Sequence, residues 1–280
     1  MNIYNKVVEC KEDIYKQKGN GITIGFVPTM GALHEGHISL LKKAKKENDI
    51  SVCSIFVNPL QFNNIEDLRK YPKSIENDIH ILSSVNCDIL FNPSEKEIYP
   101  VPDNTIFDLG SLDKYMEGAS RPGHFNGVAV IVKRLFDIIE PDKAYFGEKD
   151  FQQLAVIKYL VKTHNIPIEI IACPILREAD GLAMSSRNIR LSSNERTAAP
   201  LIYNTLCEAR KMHKSKTVEE IKRFVENSIH NCPLMKLEYF EIANTETLEP
   251  VNIIDDPSLC IACIAVYLGN IRLIDNIKFL

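Results

Sequence analysis

The chain has 280 residues, 45% of them hydrophobic and 25% charged, with a formal net charge of −4. That length suits roughly two domains of ordinary globular composition, large enough to fold without disulfide or metal staples. The near-balanced charge offers no long-range field for a polyanion, so no nucleic acid is expected as a partner.

The opening residues Met1–Lys6 lack the basic head and apolar run of a signal peptide, so a cytoplasmic location is expected. Ile22–Val27 is a short apolar strand candidate ended by Pro28. His37–Asn48 places Leu40, Leu41 and Ala44 at helical spacing, with Lys42, Lys43, Lys45 and Lys46 forming a solvated face. Ser51–Val57 and Asp88–Phe91 read as strands. Gly127–Glu140 then reads as an apolar helix, Lys143–Phe146 as a strand, Phe151–His164 as a helix and Ile168–Ala172 as a strand. Strand and helix alternating at this spacing predict an α/β fold, a parallel sheet covered on both faces.

After Pro174 the pattern changes. Helices are expected at Asn194–Lys214 and Val218–Ile229, then strands near Leu237–Ile242, Leu259–Leu268 and Ile271–Ile274. A smaller α+β domain over 177–280 therefore follows a first domain over 1–176. Leu259–Leu268, the longest charge-free apolar run, falls short of the about eighteen residues that a membrane span requires. Eight cysteines are scattered without an export signal, which predicts reduced thiols. Cys260 and Cys263 form a C-x-x-C, but residues three apart on a strand face opposite ways and could share neither a bond nor a metal.

Ligands of open parallel sheets sit beyond the carboxyl ends of the strands. Three loops fall there, after Val27, Val57 and Phe146. In the first, Pro28–His37, glycines permit close approach and the helix start offers N–H groups to an anion, while His34 and His37 can donate to phosphate oxygens. The second His comes one residue too early for a zinc protease H-E-x-x-H, and no further ligands accompany it, so no metal site is assigned. Neither a P-loop nor a G-x-G-x-x-G is present, and Ser111–Lys114 matches S-x-x-K without its companion motifs.

The second loop presents the amides of Asn58 and Gln61, suited to hydroxyls and carboxylates. The third, Gly147-Glu148-Lys149-Asp150, sets a lysine for phosphate beside an aspartate that can cap the next helix or meet a ribose hydroxyl, with Gln153 one turn on. Finally, Gly181–Asn188 combines Ser185, Ser186 and Arg187 into a potential phosphate clamp.

Taken together, Pro28–His37, Phe56–Phe62, Arg121-Pro122-Gly123-His124-Phe125, Tyr145–Asp150 and Met184–Asn188 resemble the pantoate–β-alanine ligase family, within the wider H-x-G-H nucleotidylyltransferase superfamily. The likeness runs nearly end to end. One departure is Lys73, where the family usually has Arg after Tyr-Pro; lysine keeps the charge but not the planar fork.

The resemblance implies a Rossmann-like doubly wound domain and a C-terminal lid. It also implies ATP as co-substrate, Mg²⁺, a pantoyl adenylate, and β-alanine as the amine. On this basis Met30, Gly31, Ala32, Leu33, His34, Glu35, Gly36 and His37 would cradle the ATP phosphates, with His34 and His37 at the reacting end. Gly147, Glu148, Lys149 and Asp150 would meet phosphate and ribose, and Leu176 the adenine. Met184, Ser185, Ser186 and Arg187 would close over the β- and γ-phosphates; Gln61, Gln153 and Asn58 would hold pantoate. Lys149, Ser185, Ser186 and Arg187 join the two histidines as expected catalytic residues, and a homodimer is implied as well. A nucleotidylyltransferase without amide ligation, and a non-catalytic ATP sensor, are the competing readings.

Overall fold

The computed structural model describes residues 1–279, which divide into two compact units. The first comprises Met1–Leu109, Arg121–Glu148 and Gln153–Pro174; the second comprises Gly110–Ser120, Lys149–Gln152 and the residues from Ile175 on.

Among the described residues, the first unit holds a six-stranded sheet: β1 (Asn2–Tyr4), β2 (Ile24–Thr29), β3 (Ile50–Ile55), β4 (Ile89–Phe91), β5 (Lys143–Gly147) and β6 (Glu169–Cys173). All pairings are parallel, in the order β1-β4-β3-β2-β5-β6. Alternating side chains feed two cores. Phe26, Val52, Phe91 and Ala144 face one, with Cys10 and Ile14 of the helix Val7–Gly19 and much of the helix His124–Ile139. Val27, Cys53, Leu90 and Tyr145 face the other, covered by Leu40, Leu41 and Ala44 of the helix Glu35–Glu47 and Leu82 of the helix Ile75–Ser84. Each large apolar side chain fully buried this way contributes about 1.5–3 kcal/mol.

The sheet is therefore doubly wound, as the alternation predicts. β1 and the helix Val7–Gly19 are additions that the sequence reading does not contain. Pro28 does not end β2, which runs to Thr29. β2 pairs with β3 along its whole length but with β5 only at Gly25 and Phe26. Pro28 thus lies where one side of the strand has no ladder to complete, and its missing N–H is tolerated. Because the strand order reverses between β2 and β5, their carboxyl ends flank the switch point where such sheets bind ligands.

The second unit contains an antiparallel sheet of β7 (Met235–Asn244), β8 (Cys260–Leu268) and β9 (Ile271–Lys278), with β8 central. Helices Leu201–Met212 and Val218–His230 supply Ile202, Leu206, Ile221, Val225 and Ile229 to its core. The single helix expected over Asn194–Lys214 is broken into Ser193–Ala198 and Leu201–Met212. Pro200 has no N–H to continue the ladder, so the chain turns there. Cys260 enters this core while Cys263 does not, so the two thiols face opposite ways; both are buried, and burial pushes both above the ordinary thiol range. All eight cysteines are free.

Two excursions of the chain belong to this unit through polar ties. Arg272 donates to Glu117 at 2.9 and 2.6 Å and to Glu238, and the Tyr239 hydroxyl donates to Glu117 at 2.7 Å. Gln152 donates to the carbonyls of Leu112 and Tyr115 and accepts from the Glu117 N–H. Among the described residues, no helix is long and apolar enough to cross a membrane.

Candidate active site

In the first unit the site is built at the end of β2. The chain leaves Thr29, makes a left-handed turn at Gly31 (φ +81°) and Ala32 (φ +49°), and enters the helix Glu35–Glu47. The loop is held from within. Gly31 N–H donates to Thr29 Oγ1, and Ala32 and Leu33 N–H donate to the two oxygens of Asp78 at 2.9 and 2.8 Å. His34 N–H donates to His37 Nδ1 at 3.3 Å, and Gly36 N–H to His34 Nδ1 at 3.1 Å. The two histidines thus cap the helix reciprocally, with ring centroids 4.1 Å apart.

This arrangement corrects one sequence expectation. The N–H groups of Gly31, Ala32, Leu33, His34 and Gly36 are engaged by the protein itself, so the loop is no open backbone nest for an anion. A ring nitrogen that accepts carries no proton, so both neutral imidazoles hold theirs on Nε2. In each ring Nε2 is thus the donor nitrogen.

Beside it, Asn58 and Gln61 come from the turn after β3, and both are buried. Asn58 donates to Gln61 Oε1 at 3.1 Å and to the Gly127 carbonyl at 3.0 Å, while its oxygen accepts from Tyr99 at 2.8 Å. Burial pushes the Tyr99 hydroxyl above the ordinary range, which keeps it a donor. Gln61 is consequently oriented with Nε2 on Met30 Sδ, 3.1 Å away. The Gln61 backbone carbonyl accepts from Arg121 at 3.3 Å and meets His124 Nδ1 at 2.8 Å, while Arg121 meets His124 Nε2 at 3.1 Å. Gly127 makes this possible: a Cβ there would lie 2.3 Å from the Leu60 carbonyl oxygen.

The structure thus brings Met30–His37, Asn58 and Gln61 together, and sets Gly147 at the end of β5, the neighbour of β2; Glu148 follows it. Gln153 is half-buried on the helix Phe151–Thr163, whereas its neighbour Gln152 is spent on structural bonds. Lys73 is exposed, beyond the buried Tyr71.

The second unit carries the other group. The Lys149 side chain is 20% exposed, its ammonium 3.8 Å from Asp150, and its backbone carbonyl accepts from Asn276 at 2.9 Å. Asp275, next in line, is buried and bound by both arms of Arg177 at 2.7 and 3.0 Å; burial nevertheless raises its carboxyl above the usual range. Arg177 also stacks on Tyr203 and pairs through its backbone with Ala183. Nearby, Met184 N–H donates to the Leu176 carbonyl at 3.0 Å, and Arg187 N–H to Ser185 Oγ at 3.2 Å. Ser186 is buried, Leu176 exposed. Asp78, Tyr99, His124, Arg177, Asp275 and Asn276 are absent from the sequence-derived site. Their roles depend on partners distant along the chain, and only the motif around His124 signals one.

The family model described as pantoate-beta-alanine ligase matches residues 2–278. The chain belongs to the pantoate–β-alanine ligase family. Among curated relatives, the pantothenate synthetase of Porphyromonas gingivalis W83 is 50% identical over 279 residues, covering 100% of this chain and 99% of that protein. That of Cytophaga hutchinsonii is 52% identical over 273 residues, covering 97% and 96%. Among solved structures, the pantothenate synthetase of Thermus thermophilus superposes with a TM-score of 0.92 at 39% identity, covering 100% and 99% of the two chains. A pantoate-beta-alanine ligase from Francisella tularensis, complexed with beta-gamma ATP and β-alanine, gives 0.84 at 40% identity, covering 100% and 98%. The family's fold, a parallel six-stranded sheet with a small antiparallel C-terminal sheet, is the fold described above.

Proposed function

We propose that this chain condenses (R)-pantoate with β-alanine to pantothenate, using ATP and passing through a pantoyl adenylate. Family membership supports the overall reaction. The observation that carries the site assignment is the reciprocal histidine cap beside Gln61: phosphate donors and a carboxylate- and hydroxyl-reading amide meet at the end of β2.

A carboxylate and an amine form an amide poorly without a better leaving group. In the first step a pantoate carboxylate oxygen attacks the α-phosphorus of ATP, and the bond to pyrophosphate breaks. In the second, the β-alanine amine attacks the activated carbonyl, a proton leaves the nitrogen and AMP departs. Such chemistry calls for positioning and charge stabilisation rather than a protein nucleophile. His34 and His37 donate to the phosphates at the reacting end of the Met30–His37 loop, and Lys149 stabilises the charge that develops there. Gly147, Glu148 and Asp150 serve the phosphate and ribose side, and Leu176 offers its N–H to adenine, its carbonyl being engaged by Met184. Met184, Ser185, Ser186 and Arg187 are assigned to the β- and γ-phosphates, and Gln61 and Gln153 to pantoate, with Asn58, its own amide engaged, assisting by orienting Gln61. In this reading 1–176 binds ATP and pantoate, and 177–280 acts as a lid.

No group of three or more His, Cys, Asp or Glu among the described residues could cage a metal. Magnesium arriving with ATP would be held mainly through phosphate oxygens and water and would screen the phosphate charge. A cytoplasmic homodimer completes the reading. Its direct test is exchange of labelled pyrophosphate into ATP without β-alanine. Exchange that requires pantoate is the expected result; exchange without pantoate, or none with it, would remove the pantoyl adenylate.

A further inference from the structure

Asp78 sits on the helix Ile75–Ser84 with 1% of its surface exposed. Both of its oxygens are used, one by the Ala32 N–H and the other by the Leu33 N–H. Among the described residues no cationic side chain pairs with it, so these two donors are what hold a buried charge in place. The turn it grips is conformationally demanding. Ala32 is a non-glycine residue at φ +49°, a region that L-residues adopt at a cost of about 1–2 kcal/mol. Gly31, at φ +81°, is packed so closely that a Cβ would lie 3.0 Å from Asp78 Oδ2 and from Ile55. The next N–H after the clamp is that of His34, which fixes His37 Nδ1 as an acceptor.

We propose that Asp78 is a positioning residue: by clamping the left-handed Gly31–Ala32 turn, it sets the reciprocal cap of His34 and His37 and so aims both Nε2–H groups at the nucleotide phosphates. This rests on the phosphate-binding reading of the loop. Asparagine cannot replace the aspartate, because its single oxygen serves one N–H while its NH2 group opposes the other.

The test combines histidine ¹⁵N spectra of the full chain with steady-state kinetics. In the wild type, His34 and His37 are each expected as the Nε2–H tautomer alone. Asp78→Asn is expected to mix the tautomers, raise the KM for ATP and lower adenylate formation about 10²-fold, the scale of a small misplacement. The KM for pantoate stays unchanged. Asp88→Asn is the control. Asp88 likewise accepts a backbone N–H, that of Ser51 at 2.8 Å, but at the far end of the sheet. It should leave the tautomers and the ATP KM at wild-type values. Should Asp78→Asn fail to fold, Gly31→Ala presses on the same contact from the loop side and should mix the tautomers too. Unmixed Nε2–H tautomers in the altered chain, with an ATP KM no different from Asp88→Asn, would overturn the proposal. A wild type that releases no AMP would overturn the ligase reading instead, since the tautomers report the clamp independently.

Discussion

The two regions assigned to phosphate are built in opposite ways. The Met30–His37 loop of the first unit is locked: its turn is clamped by a buried carboxylate, and its histidines cap each other. The Met184–Asn188 segment of the second unit is a polar turn whose bonds include short-range ones along the chain, from Met184 to Leu176, Arg187 to Ser185 and Asn188 to Ala183. The difference teaches where preorganisation resides. Groups at the reacting atoms gain from being fixed before substrate arrives, since misplacement there costs rate steeply.

The sharpest way to break this comparison is at Lys149, whose backbone is fixed by Asn276 while its ammonium is aimed by a flexible stem. Lys149→Ala is expected to slow adenylate formation by about 10²-fold or more, measured as a single turnover with ATP and pantoate. A near-normal rate would remove it from the chemistry. Next comes Gly127→Ala. The added Cβ meets the Leu60 carbonyl and Gln61 N–H, so a loss of about 1–3 kcal/mol in unfolding free energy should come with weaker pantoate binding. Gln61→Ala isolates the amide and should raise the pantoate KM about 10-fold, one lost hydrogen bond to a charged group, while ATP affinity holds. The reverse pattern would move the acid elsewhere.

The H-x-G-H at a helix start and the amides of Asn58 and Gln61 are legible because both are local motifs that follow a strand; the reciprocal cap is not, since the spacing alone leaves the helix-start N–H groups open to an anion. The alternation of helix and strand likewise announced the doubly wound sheet. Asp78 was not legible, since an aspartate on an amphipathic helix looks like any exposed charge until its partners at 32 and 33 are known. Glu117 and Arg272, 155 residues apart, are invisible for the same reason. Pro28 misled in the opposite direction: its missing N–H ends a strand only where a neighbour would have required it.

The smallest effects lie far from the site and serve as controls. Thr217→Ala removes the cap of the helix Val218–His230 and should cost about 1 kcal/mol of stability without changing either KM. Glu220 in the same cap is pulled down to about 2 by the Thr217 N–H and by Lys216. Its folded value lies below the unfolded one, so its stabilisation is complete above about pH 4.3 and disappears as pH falls through about 2. The stability difference between the wild type and Glu220→Gln should close over that window in acid titrations followed by circular dichroism.

The most direct test of the central claim is AMP release from ATP with pantoate and β-alanine supplied singly and together. AMP that appears only when both are present, matched by pantothenate, is the predicted result. Pantoate alone should give no more than about one pyrophosphate per site, the adenylate itself; pyrophosphate released over many turnovers without AMP from one acid alone would place the chain among simple nucleotidyl transferases, and silence in every combination would contradict the account outright.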